Sequence, residues 1–136
     1  MQLTQAQINL IKSNWRSLRG IEPTLIADIF YTKLFADHPR LRKLFPADLQ
    51  LQYVKLMDML NSIVSHLDYI QDMSGEIVAM GKRHIDYGVK PEQYKMVGEA
   101  LLWTLQKGMG KDWTEESAKA WGTCYTILAN MMTKSS

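Results

Sequence analysis

The chain is 136 residues long, 46% apolar and 22% charged, the size and composition of one globular domain spanning 1–136, which excludes a disordered or fibrous chain. Its 16 basic and 14 acidic residues leave a net charge of +2, and their interspersed signs argue against a nucleic-acid surface. The single Cys124 excludes an internal disulfide, no apolar run nears the ~18 residues of a membrane span, and Gln2, Thr4, Gln5 and Gln7 give a polar start unlike an export signal. A cytoplasmic protein with no membrane partner is expected.

Helical periodicity dominates, and the predicted class is all-α. Thr4 and Gln7 form a capping box for a first helix over 5–18, with Ile8, Ile11, Trp15 and Leu18 on one face and Gly20 stopping it. Pro23 opens a second helix carrying Leu25, Ile26, Ile29, Phe30, Leu34 and Phe35 to about 36, where Asp37, His38 and Pro39 break it. A short third helix holds Leu41 and Leu44, and Phe45 to Asp48 form a corner. Asp48 is placed to cap a long helix over 49–67, whose stripe of Gln52, Leu56, Leu60, Ile63 and Val64 includes one polar residue. Beyond the turn-prone residues 72–75, a helix presents Ile77, Met80, Gly81 and His84 together and ends at Gly88. Pro91 opens a helix with Tyr94, Val97, Leu101 and Leu102, closed by Gly108 and Gly110. Thr114 caps the last helix, with Trp121, Cys124, Tyr125, Leu128 and Met132 inward.

Little in the sequence supports metal-cluster or nucleophile chemistry. Three histidines, widely separated, cannot build a multi-histidine site, and paired-cysteine zinc spacings are absent. Cys124 lies on an apolar stripe with no histidine at helical spacing and reads as an inert buried thiol. Gly108 and Gly110 follow a helix, so they read as a stop signal and not as a phosphate loop. The basic stretch Arg40, Arg42 and Lys43 reads as a solvated face. His84 differs: it shares an apolar face with Ile77, Met80 and Gly81 while Lys82 and Arg83 point to solvent. Such an imidazole is either a hydrogen-bonded core histidine or a metal or haem ligand, and the pattern alone leaves both open.

Three stretches together resemble the globin family, in its branch of single-domain bacterial globins and flavohaemoglobin haem domains. They are residues 29–39, with Phe30-Tyr31-Thr32-Lys33-Leu34-Phe35, followed by Leu44-Phe45-Pro46; residues 82–98, with Lys82-Arg83-His84-Ile85-Asp86-Tyr87-Gly88; and residues 114–125, with Ala120-Trp121-Gly122-Thr123-Cys124-Tyr125. The resemblance covers nearly the whole chain. It implies a globin fold of about seven helices, with no clear fourth helix after the short corner at Phe45, enclosing haem b (iron protoporphyrin IX) between a distal and a proximal helix.

On this resemblance His84 is the proximal iron ligand and the sole metal-binding residue, and Phe45 stacks on the porphyrin. Gln52 takes the distal position, Leu56 follows one turn later over the iron, and Tyr31 matches the distal tyrosine of the bacterial branch. Val89, Tyr94, Val97 and Tyr125 complete the implied haem-binding set. Lys55 and Arg83 are placed to reach the propionates, a role that competes with simple solvation. Tyr94 matches the tyrosine that flavohaemoglobins tie to the proximal histidine, whereas their glutamate has no match in residues 131–136. A nearly neutral proximal imidazole is therefore expected, with weak peroxidase character.

The implied function is reversible binding of dioxygen or another diatomic gas for storage, delivery or scavenging, with Tyr31 and Gln52 as hydrogen-bond donors to bound dioxygen. A nitric oxide dioxygenase or peroxidase-like enzyme drawing on a separate reductase is the competing reading. A gas sensor is the third.

Overall fold

The computed structural model describes residues 2–86 and 88–133, Gln71 by its backbone alone. Tyr87 in the second motif and residues 134–136 lie outside the described residues. The frame consists of α1 (Gln5–Leu18), α2 (Pro23–Asp37), α3 (Gln50–Ser65), α4 (Ser74–Asp86), α5 (Gln93–Met109) and α6 (Glu115–Thr133), with 3-10 turns at Pro39–Leu44, Leu67–Met73 and Gly110–Asp112. No strand occurs among the described residues. The six α-helices and the turn at Pro39–Leu44 are the seven principal helical elements expected, and no helix lies between Phe45 and Gln50.

Local chemistry sets most of the ends. The Thr4 hydroxyl accepts from the Gln7 N–H at 3.1 Å while the Gln7 side chain accepts from the Thr4 N–H at 3.0 Å, completing the capping box of α1. Pro23 sits at the start of α2, capped by the Glu22 carboxylate, and Thr114 accepts from the Ser117 N–H at 3.1 Å ahead of α6. The α3 start is one residue displaced: Asp48 accepts from the Gln50 N–H at 3.0 Å, but Leu49 occupies the cap position. The helix then stops at Ser65, and residues 67–73 follow as two short 3-10 turns broken at Tyr69, which has φ −133° and ψ 37°. Pro91 precedes α5, with its carbonyl accepting from Tyr94, and the helix begins at Gln93.

Two glycines behave differently from a simple stop signal. Gly110 ends α5 with φ +57°, a conformation that favours glycine, whereas Gly108 lies inside α5. A Cβ on Gly108 would meet Leu18 Cδ2 at 2.6 Å, so its bare backbone is what lets α5 approach α1. Leu25 also departs from expectation by being exposed, since the opposite flank of α2 carries the buried Ile26, Ala27, Phe30, Tyr31 and Leu34.

One large core joins α1, α2, α3, α5 and α6, and a smaller cluster of Met73, Ile77 and Met132 joins α4 to α6. Two indoles bridge the large core by polar bonds: Trp15 Nε1 donates to Asn61 Oδ1 at 2.7 Å, and Trp121 Nε1 donates to the buried Asn14 Oδ1 at 3.2 Å. Each satisfies a group that would otherwise be costly to bury. The arrangement that matters for a site is how α3 and α4 are held. Helix α3 packs mainly on α1 and α2, α4 mainly on α6, both touch the Leu67–Met73 segment that joins them, and the two make little direct contact with one another.

Candidate functional site

On α4, Gly81 sets the position of the whole helix. A Cβ there would fall 2.1 Å from the Met132 carbonyl oxygen, so only a glycine lets α4 rest on the backbone of α6. One turn later His84 is half-buried, and its Nδ1 donates to the Met80 carbonyl at 2.7 Å. That bond places the proton on Nδ1 and the lone pair on Nε2, the atom able to bind a metal, and it restricts the rotation of the ring. The acceptor is a backbone carbonyl. Beyond α4, Gly88 has φ +92°, and a Cβ on it would meet Leu44 Cδ2 at 3.5 Å. The loop after His84 therefore runs beside the Pro39–Leu44 turn. Val89 lies half-buried on that loop, its N–H bonded to the His84 carbonyl at 2.9 Å.

Across from α4, a group of aromatic rings forms where α2, α3 and the Phe45 corner meet. Tyr31 is at its centre and only 6% exposed. Its ring meets Phe30 at 4.9 Å and Phe45 at 5.5 Å edge-on, and stacks with Phe35 at 5.8 Å and Tyr53 at 5.7 Å. Burial, then the neighbouring Tyr53, pushes the Tyr31 phenol up to about 12, so it stays protonated and a donor at neutral pH. Among the described residues, every sealed side-chain polar atom has a partner. The Tyr31 hydroxyl bonds to none of them and is therefore not fully sealed. Tyr53 donates to Asp28 at 2.8 Å, which joins α3 to α2 and raises the Tyr53 phenol.

The remaining expected residues divide into three groups. Phe45 and Leu56 from the distal side, with Val97 and Tyr125 from α5 and α6, pack on the large core, all half-buried. The Tyr125 hydroxyl donates to the Tyr94 carbonyl at 2.6 Å, and Tyr94 itself packs on the smaller cluster beside Met80. Gln52 and Leu56 lie one turn apart on α3, and the same stripe continues to Met59 and Ile63. Lys55 and Arg83 are exposed; Lys55 bonds to nothing among the described residues, while Arg83 borders a cavity of about 170 Å³ between the helices. The lining of that cavity is mixed: Met59 and Ile63 of α3 and Ile77 and Met80 of α4 are joined there by Ser62 and Glu76.

Apolar side chains at Met59, Ile63, Ile77 and Met80 between two helices, an imidazole on α4 with its Nδ1 proton held, and phenol and amide donors on the α2 and α3 side suit a flat apolar macrocycle bound through a nitrogen. Haem therefore fits the residues present. Among the described residues no cluster of three or more histidine, cysteine or acidic side chains could hold a bare metal ion. Cys124 is buried and its thiol is pushed up to about 12 by desolvation, which leaves it unreactive. His38 is half-buried at a helix end, and His66 is exposed with Nδ1 bonded to the Ser62 carbonyl at 2.7 Å.

Sequence reasoning missed Arg42. Arg40 and Lys43 are exposed as expected, but the Arg42 guanidinium donates to the carbonyls of Phe45 at 3.2 Å, Pro46 at 2.9 Å and Ala47 at 2.9 Å, and lies 5.4 Å from the Phe35 ring centroid. The available signal was a helix-free corner whose carbonyls need donors, with an arginine three residues before it.

Comparisons with known proteins place the fold. The family model Globin matches residues 28–132. Neuroglobin of Danio rerio is 31% identical over 98% of this chain and 92% of its own length. Flavohemoprotein of Vibrio cholerae is 30% identical over 95% of this chain, which spans 33% of that longer protein. Among solved structures, a bacterial globin from Campylobacter jejuni has a TM-score of 0.83 at 24% identity, covering 96% of this chain and 94% of its own. An engineered carbene transferase from a protein designated a nitric oxide dioxygenase of Rhodothermus marinus has a TM-score of 0.86 at 26% identity, covering 98% and 94%. With that model spanning most of the described chain and neuroglobin aligned along nearly all of it, the chain belongs to the globin family.

Proposed function

We propose that this chain is a cytoplasmic haem protein that holds haem b between α3 and α4 through His84 and reversibly binds dioxygen or another diatomic gas. The observation that carries the reading is one pairing: an imidazole on α4 whose Nδ1 is fixed by the Met80 carbonyl, and a buried, protonated phenol at Tyr31 whose hydroxyl is spent on no other described residue. When bound, ferrous haem would supply the chemistry of reversible gas binding, lending partial negative charge to a diatomic ligand.

The residues of the chain would then shape that position. Tyr31 and the Gln52 amide donate toward the gas, Leu56 keeps water out, and Phe45 presents a ring to the macrocycle. Val89, Tyr94, Val97 and Tyr125 line the His84 side, and the exposed Lys55 and Arg83 offer cations to the propionates. Stoichiometric hemin uptake, loss of the iron bond in His84→Ala and a reversible spectral change with dioxygen are the expected results. A wild-type protein that takes up no hemin refutes the proposal.

A second reading is nitric oxide dioxygenation with a reductase, favoured by the likeness to a flavohemoprotein and to a protein designated a nitric oxide dioxygenase. We rank gas binding first because the acceptor on His84 Nδ1 is a backbone carbonyl, a weaker source of electron push than a carboxylate. Sustained nitric oxide consumption by the reduced, oxygenated protein would reverse that order.

A further inference from the structure

The Arg42 guanidinium does more than cover a corner. Its two terminal nitrogens donate to three successive carbonyls, of Phe45, Pro46 and Ala47, in a stretch with no helix to satisfy them. The same group lies 5.4 Å from the Phe35 ring. Phe35 and Phe45 meet edge-on at 5.4 Å, and both rings pack against Tyr31. One side chain thus fixes the backbone that carries Phe45 to a ring flanking Tyr31.

We infer that Arg42 is a positioning residue for the distal side of the pocket, holding Phe45 and, through the Phe35–Phe45 contact, the direction of the Tyr31 hydroxyl. The inference rests on the proposed gas-binding site and adds a residue outside it. The planar fork is what matters, not the charge: an ammonium carries its donors on one nitrogen and cannot reach three successive carbonyls from two separated positions while staying over a ring. Arg42→Lys keeps the cation and loses the clamp, so it separates geometry from electrostatics.

The test compares haem-loaded wild type with Arg42→Lys, Tyr31→Phe and the double variant, using dioxygen release by stopped flow and the C–O stretching frequency of the carbonyl adduct. Arg42→Lys is expected to retain haem and thermal stability near wild type, to release dioxygen roughly threefold faster, and to shift the C–O band toward its position in Tyr31→Phe. In the Tyr31→Phe background the same substitution should change neither readout, because the residue acts through that hydroxyl. Arg42→Gln, which loses the charge as well, should match Arg42→Lys. Where any of these variants fails to fold, nuclear Overhauser contacts between Phe45 and Tyr31 in the wild-type carbonyl adduct, together with slowed rotation of the Arg42 guanidinium, provide the check; their absence overturns the inference. Release rates and C–O bands unchanged in Arg42→Lys while Tyr31→Phe responds would overturn it alone, as would an equal effect with and without the Tyr31 hydroxyl. A wild type that takes up no hemin, or a Tyr31→Phe that releases dioxygen normally, would overturn the underlying site as well.

Discussion

Removing a single hydroxyl by Tyr31→Phe isolates the distal donor better than any larger change. The ring is held by four aromatic neighbours at 4.9 to 5.8 Å, and phenylalanine fills the same space. The hydroxyl bonds to no described residue, so its loss breaks no internal hydrogen bond, and folding stability should change by less than about 0.5 kcal/mol. Ligand retention is different. A hydrogen bond from a buried neutral phenol to a partly anionic ligand is worth about 1 to 2 kcal/mol, which corresponds to roughly tenfold faster dioxygen release. Carbon monoxide carries less negative charge and should change far less, giving an internal control. Stopped-flow displacement of dioxygen by carbon monoxide measures the first rate directly. Equal release rates in wild type and Tyr31→Phe would refute the distal placement, and a fall of several degrees in Tm would show that the hydroxyl has an internal role.

Gly81→Ala should be severely disruptive, because its Cβ would fall 2.1 Å from a backbone oxygen of α6; a loss of about 3 kcal/mol by urea unfolding and poorer haem retention are expected. Tyr31 has a folded pKa raised to about 12 from 10.0, so its contribution is fully present below pH 10 and is lost as pH rises toward 12. Alkaline unfolding should therefore set in across that window, with Tyr31→Phe moving the midpoint upward; an unmoved midpoint would argue against the burial of this phenol. Cys124 should stay unmodified by a thiol reagent until the chain unfolds, since desolvation keeps it protonated. Asn61→Leu removes the acceptor of Trp15 Nε1 and should cost about 1 to 2 kcal/mol in thermal unfolding.

How much of this was legible in the sequence depends on whether the cause was local. The Thr4 and Gln7 capping box, the Pro23 start and the Gly110 stop are decided within a few residues, and the sequence shows them. The 3-10 turns within Leu67–Met73 were not visible, because Leu67, Ile70 and Met73 recur every third residue and fit neither a longer α3 nor a clean turn. Gly108 looked like a terminator, yet its reason is a Leu18 side chain 90 positions away in sequence. Arg42 was hidden for the same reason: three basic residues in four positions look solvated until the corner folds back onto the guanidinium. The aromatic surroundings of Tyr31 likewise come from three separate elements. Helical periodicity brought out the inward face of His84, while the bond to Met80 needed coordinates.

The central claim is that His84 alone supplies the protein ligand to a haem iron. The most direct measurement is the visible and resonance Raman spectrum of the reduced, gas-free, hemin-loaded protein. A five-coordinate, high-spin ferrous haem with an iron–histidine band that disappears in His84→Ala is the expected result. A six-coordinate, low-spin ferrous spectrum, or a His84→Ala protein that keeps the same iron–histidine band, would contradict it.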